Sequence, residues 1–448
     1  MPNDDMKNDE LIKGMFSFID KSVSPFHSVA CAEELLLSEG FIKLSEMDEW
    51  NIETRGKYYV TRNGSSIIAF AMPGSDFTHY SMTACHSDSP SFKVKNVYKE
   101  NDGYIQALVE KYGGMILSTW LDRPLSVAGR AVLRDNSCDG AGIVSKNVNI
   151  DSDYMVIPNL AIHFNREIND GYKYNPEKDM RPVYSSSESI TDTLSRQLDI
   201  SKEDILNLEL YLYCRQKACL VGARKEFYMS PRIDDLSAAY VSLRAFLDAD
   251  SDMSTAVNVW CMFDNEEVGS GTMQGAMSSF AADVLDRIEH SVGGDLFSIR
   301  ESSIRRRRQR SLLLSVDNAH AIHPNIPEKS DMNNPVRLNG GIVVKYNANQ
   351  KYTTNGVTGA VFEMICNKAD VPVQRFYNRA DVPGGSTLGN LLSRQVSIPM
   401  ADIGLPQLAM HSAVETAGCR DLAYMYDGLK CFYQSRVWQV EDGRWTVS

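Results

Sequence analysis

AVNVWCMF, residues 256–263, is an apolar run of strand length that passes without a break into DNEEVGS, residues 264–270. Such a run, followed at once by turn-forming Asp, Asn and Gly, reads as a buried strand whose carboxyl end opens into a loop. Glu266 and Glu267 lie in that loop. Adjacent side chains on an extended chain point to opposite sides, so a packed strand end gives no reason for two acids. A division of work between a base and a metal ligand does give one. By itself a Glu-Glu pair is more often a solvated helix surface, so it counts only in company.

The company lies outward in both directions. The strand-like stretch Tyr80–Cys85 delivers CHSDSP (Cys85–Pro90), with His86 and Asp88. PRIDD (Pro231–Asp235) leads into a helix expected from about Leu236. The strand-like Ser311–Val316 runs into SVDNAHAIHPN (Ser315–Asn325), and QLAMHS (Gln407–Ser412) carries His411. Loops at the carboxyl ends of strands in open α/β sheets converge on one crevice, so acids and imidazoles far apart in sequence can meet there. Two His and three carboxylates are what two metals roughly 3.5–4 Å apart need when one carboxylate bridges. Each segment alone reads as structural, and His320 and His323 alone would pass as interior residues. All five in this order point to a metal site.

Around these segments the chain alternates strands and helices. Leu11–Ile19 carries an apolar helical face, a second helix is expected after Ser28 with Gly40 stopping it, and Tyr58–Thr61 and Ser66–Ala71 read as strands. A further helical stretch lies near Phe280–Ile288. Between about Asn96 and Phe227 the character changes. Short β-type segments (Ile105–Val109, Val127–Leu133, Tyr154–Pro158) are separated by Gly, Asp and Asn turns, and a Ser/Glu/Asp patch after Tyr184 is expected to be mobile. The expected organisation is an α/β catalytic domain (1–95 and 228–448) with a mixed central sheet flanked by helices, interrupted by a β-rich insert (96–227).

The chain has 448 residues, 43% of them apolar, and a formal charge of −12, which argues against a nucleic-acid or anionic-membrane surface. The basic run Arg305–Arg308 lacks interleaved aromatics and reads as a solvated helix or loop face. Nine scattered cysteines without a C-x-x-C pair read as thiols of a cytosolic protein. The polar, acidic start has no signal core, and the apolar stretches are too short to span a bilayer. A soluble protein is expected.

The segments resemble the aspartyl aminopeptidase family of dinuclear zinc peptidases, and the resemblance runs nearly end to end. It is carried by SPFHSVACAEELLLSEGF (Ser24–Phe41), HSDSPSFKVK (His86–Lys95), GGMILSTWLDRPLSVAGR (Gly113–Arg130), NLAIHFNREIN (Asn159–Asn169), DNEEVGSGTMQGA (Asp264–Ala276), DNAHAIHPN (Asp317–Asn325), PGGSTLG (Pro383–Gly389) and DIGLPQLAMHSAVE (Asp402–Glu415). The resemblance implies two zinc ions per subunit, with Co2+ or Mn2+ as substitutes. His86 and Asp317 would hold one, Glu267 and His411 the other, and Asp234 would bridge both. It implies Glu266 as general base, Asp88 as the residue that orients His86, and a dodecamer built through the insert. His163 is expected to reach a neighbouring subunit's site, where it would stabilise the carbonyl oxygen in the transition state or, as the alternative, count as a metal ligand; the first is preferred because five ligands already fill the two metal positions. Lys345 matches the family's pocket lysine for an acidic first side chain. His323, Gly384, Gly385 and Ser386 are expected near the substrate, the glycine loop lacking the Lys of a nucleotide-binding P-loop. The segment STWLDRPL (Ser118–Leu125) reads as buried core as readily as anything functional. Ser91-Phe92, Pro124 and Asp235 depart from the common pattern, and none is expected to touch a ligand.

The expected activity is removal of N-terminal residues, preferably Asp or Glu, from small peptides. A related dinuclear carboxypeptidase or N-deacylase is the nearest rival, separated by peptides with a blocked amine. A catalytically silent assembly or cargo protein is the rival from another class, and the presence of every ligand and the base stands against it.

Overall fold

The structure, a computed structural model, describes residues 2–137, 140–250, 255–292 and 301–448. A nine-stranded mixed sheet runs in the order 42–44, 57–62, 66–71, 256–263, 79–86, 312–316, 400–404, 342–346, 373–377. Its four central strands, Ala256–Phe263, His79–His86, Leu312–Val316 and Met400–Gly404, are mutually parallel. The central strands are buried along their whole length, as an apolar run without alternation predicts for a sheet covered on both faces.

One face packs against helices Pro2–Lys21, Pro25–Ser38, Ile233–Leu247 and Cys419–Gln434, with Met15, Val29, Leu243 and Leu429 in its core. The other packs against Phe280–Val292 and Leu388–Val396 through Phe280, Leu285 and Leu392. The second helix begins three residues before Ser28, because Pro25 sits in its first turn, where a missing N–H costs nothing. The arginine run lies on helix Glu301–Arg310, where Arg307 pairs with Glu289 and Arg308 with Asp286.

A second, six-stranded antiparallel sheet is drawn from residues 91–214 and has its own core around Phe92, Trp120, Val127 and Leu212. Trp120 is 4% exposed and meets Phe92 edge-on at 5.4 Å. The patch after Tyr184 is ordered rather than irregular. Ser189 and Asp192 form a reciprocal capping box that starts the helix Ile190–Leu198, and Leu194 is buried. The segment Tyr154–Pro158 makes isolated bridges, Met155 to Leu125 and Val156 to Val183. Among the described residues no helix is long and apolar enough to cross a membrane. All eight described cysteines are thiols; Cys138 lies outside the described residues.

Candidate metal centre

Three central strands end within a few residues of each other. Phe263 pairs with His86 in parallel register, and Ser315 with Ala84. The chain therefore releases Glu266 and Glu267, His86 and Asp88, and Asp317 on one side of the sheet. Helix Ile233–Leu247 brings Asp234 to the same edge, and the turn between strands Pro406–Leu408 and Glu415–Gly418 brings His411.

Asp234 stands in the middle. Its Oδ1 lies 3.5 Å from His86 Nε2 and its Oδ2 lies 3.3 Å from His411 Nε2; His411 Nε2 is also 3.4 Å from Glu267 Oε1. Donor atoms of His86, Asp234, Asp235 and Asp317 fall within 4.8 Å of one another, as do those of Asp234, Glu267 and His411, and those of His86, Glu266 and Glu267. All but His411 are largely shielded from solvent, His86 at 1% exposure and Asp234 at 3%.

So many buried acids disfavour their own ionisation. Burial first, then the neighbouring Asp317, Asp88 and Asp234, push Glu266 up to about 8 against the pull of His86. Burial and the Asp234 charge drive Glu267 well up. Asp234 goes the other way: burial opposes, but the His411 and His86 imidazoles beside it hold it below the usual range. Imidazole nitrogen and carboxylate oxygen are the donors zinc accepts, and Asp234 Oδ1 is buried without a hydrogen-bond partner, a donor atom in need of a cation. The residues fit zinc.

Two further buried acids hold the cluster from behind. Asp88 accepts the backbone N–H groups of Glu266 and Glu267 at 3.1 Å each and the Tyr112 hydroxyl at 2.7 Å. Its carbonyl lies 3.0 Å from His86 Nδ1 and its Oδ1 3.4 Å from the same nitrogen, so Asp88 orients His86 while its side chain also holds the two glutamates. Glu415 is the counterpart. It accepts the N–H of Asp234 at 3.0 Å and that of His411 at 2.8 Å, with Gln407 at 3.2 Å. Glu415 escaped the sequence reading because it meets the candidate ligands through their backbone, although an acid four residues after a candidate ligand was the available signal. Asp235, expected to touch no ligand, accepts the His86 N–H at 3.2 Å. The two lie together because helix Ile233–Leu247 abuts the end of strand His79–His86.

The cluster opens into a cleft of about 340 Å³. Lys345, Gly385 and Ser386 line it with Tyr352, Phe376, Thr387 and His320. Gly384 sits one step away, against Asn378 and Asn347, and His323 is exposed outside the lining. Lys345 is 2% exposed, donates to the carbonyls of Asp317 and Asn318 at 2.8 and 3.1 Å, and lies 3.7 Å from the Asp317 carboxylate. Gly113 and Gly114, from the second sheet's side, close over the metal-facing residues. A Cβ at Gly113 would lie 3.1 Å from the Glu267 Cβ, and the backbone there has φ +78°, so glycine alone fits. His163 is not in the cleft. It is exposed in a turn beside Leu160, Ile162 and Phe164, the last 80% exposed.

A carboxylate–imidazole cluster at the carboxyl edge of a mixed α/β sheet, opening into a substrate-sized cleft, makes this a metal-dependent hydrolase. Residues 18–433 match the family described as aminopeptidase I zinc metalloprotease (M18), and the chain belongs to that family. It is 41% identical over 434 residues to the probable M18 family aminopeptidase 2 of Clostridium novyi, covering 94% of this chain and 97% of that one. A solved structure of the Ape4 and Nbr1 complex contains a chain 35% identical, with TM-score 0.89 over 96% of this chain and 86% of that chain. The S. cerevesiae mApe1 dodecamer shares the fold at 24% identity and TM-score 0.83, over 96% of this chain and 97% of that one. The chain is thus a zinc aminopeptidase that hydrolyses N-terminal residues.

Proposed function

We propose that the enzyme removes acidic N-terminal residues from peptides at a two-zinc centre, with Glu266 as general base. The observation that carries this reading is Asp234, which turns one oxygen to His86 and the other to His411. In it, His86 and Asp317 would hold one zinc, Glu267 and His411 the other, and Asp234 would serve both; Co2+ or Mn2+ could substitute. When bound, the metals polarise the scissile carbonyl and lower the pKa of water. Glu266 takes a proton from the attacking water and returns it to the leaving amine, as a positioned carboxylate beside the reacting atoms can. Asp88 keeps Glu266 and Glu267 in place by their backbone. The surplus of acids suits the free ammonium of the substrate, and the buried Lys345 ammonium suits an acidic first side chain. Gly385 and Ser386 line the substrate's path, with Gly384 behind them.

The same reading divides the chain into a catalytic part (1–95 and 228–448) and an assembly part (96–227). It makes the enzyme a cytosolic dodecamer and gives His163 to a neighbouring subunit's site. The exposed Leu160, Ile162 and Phe164 around His163 support burial of that turn by another subunit. The test is a panel of aminoacyl substrates assayed with metal-loaded and chelated enzyme. Aspartyl and glutamyl substrates should be preferred and an acetylated amine refused. In Lys345→Leu those two should lose roughly 2–5 kcal/mol more than alanyl substrates, the cost of unpairing a buried charge. An equal loss on all would give Lys345 to Asp317 instead.

A further inference from the structure

Two loops that share no strand, 347–355 and 378–387, contribute Tyr352 and Gly385, Ser386 and Thr387 to the lining of the cleft. One carboxylate joins them. Asp402, fully buried on strand Met400–Gly404, accepts the Thr353 N–H through Oδ2, the Thr353 hydroxyl at 2.6 Å through the same oxygen, and the Thr387 hydroxyl at 2.6 Å through Oδ1. Its backbone N–H donates to the Thr354 hydroxyl at 2.8 Å. Thr353 follows Tyr352, and Thr387 follows Gly385-Ser386; Tyr352, Gly385, Ser386 and Thr387 all line the cleft.

The close approach is built in. Thr387 stands just before helix Leu388–Val396 but gives its hydroxyl to Asp402 instead of capping the helix. Gly389 lets the helix come down on the strand, since a Cβ there would lie 2.8 Å from Asp402 Oδ1 and 2.8 Å from Ser315 Cβ.

We propose that Asp402 is a positioning residue that sets the shape of the pocket for the substrate's first side chain, by tying the Thr353 and Thr387 loops to one strand. The proposal rests on the reading of this cleft as the substrate's seat, and it holds whichever first side chain the enzyme prefers. Neither Asp402 nor Thr387 touches the reacting atoms. Loosening the tie therefore weakens substrate binding more than turnover.

The experiment measures KM and kcat separately for Thr387→Val, Thr387→Ser and Asp402→Asn on the best and second-best aminoacyl substrates of the parent enzyme, with zinc content and Tm. Thr387→Val keeps the side chain's shape and removes one hydroxyl. It should raise KM about tenfold to a hundredfold, the loss of one hydrogen bond to a charged acceptor, with kcat within threefold and zinc content unchanged. Thr387→Ser should restore KM. Asp402→Asn should raise KM further and narrow the gap between the two substrates. Unchanged KM in Thr387→Val, no rescue by Ser, or a fall in kcat that tracks zinc loss overturns the proposal. Loss of the acidic preference alone would sink the substrate reading and leave these KM ratios to be judged on the substrate the enzyme does favour.

Discussion

The metal cluster and the His163 turn are opposites in construction. In the cluster the acids and imidazoles are held by further buried groups: Asp88 grips Glu266 and Glu267, Glu415 grips Asp234 and His411, Asp235 grips His86, and Lys345 grips Asp317. The turn at 160–164 has exposed Leu160, Ile162 and Phe164 and an exposed histidine. A preorganised site costs nothing to assemble at the moment of reaction. An exposed apolar turn is finished only by something that covers it. The contrast teaches that the chain braces its metal cluster from within and leaves the turn at 160–164 uncovered, as the proposed shared site requires.

The largest expected effect is on the internally completed half. Glu266→Gln keeps shape and removes proton acceptance, so kcat should fall about 10²–10⁴-fold while zinc content, read by elemental analysis, is retained. Turnover near the parent value would move the base elsewhere. Next comes a test of the division itself. His163→Phe and Glu266→Gln enzymes should each be nearly inactive, yet co-expression into mixed oligomers should restore activity, because some sites then combine an intact Glu266 with a neighbour's intact His163. Verified mixed oligomers that stay dead would return His163 to its own chain and erase the contrast.

Smaller effects sharpen it. Glu415→Gln leaves one backbone N–H facing an amide NH₂, and zinc affinity in chelator competition should weaken about 10–100-fold, as for other supports of a metal ligand. Unaltered affinity would mean that the grip on Asp234 and His411 is incidental. Leu160→Ser with Phe164→Ser should change the protomer's unfolding free energy by no more than about 0.5 kcal/mol, since both side chains are exposed. The same pair should lower the oligomer mass seen by light scattering. Normal assembly would show that nothing covers the turn.

What the sequence disclosed follows this division too. Strand Ala256–Phe263 was readable residue for residue, because continuous burial leaves an unbroken apolar run. The cluster was readable because metal chemistry restricts residue type and strand ends restrict place. Glu415 and Asp402 were not readable in their roles, since a carboxylate that accepts backbone or threonine protons looks like any other acid until the chain folds. The sequence reading placed His323, not His320, near the substrate, yet strand Ala319–His320 carries the chain past the cleft, leaving His320 in its wall and His323 outside. Helix Ile190–Leu198 was hidden by polar composition, its two buried contacts, Ile190 and Leu194, being too few to stand out.

The pairing of Tyr211 with Lys93 has a consequence for how the chain reaches this shape. Strand His79–His86 must find Ala256–Phe263, and His79 and Ala256, partners in the register, are 177 positions apart (256 − 79). Once Ser91–Asn101 and Ile205–Cys214 lie side by side, the 124 residues from 91 to 214 no longer count as free tether (214 − 91 + 1). The tether shrinks to roughly 50 residues, and with a cost growing as (3/2)RT ln n the closure becomes easier by about 1 kcal/mol. To the parent sheet the interruption is then a short loop, and its outer strands can lengthen or shrink over evolutionary time without lengthening the search.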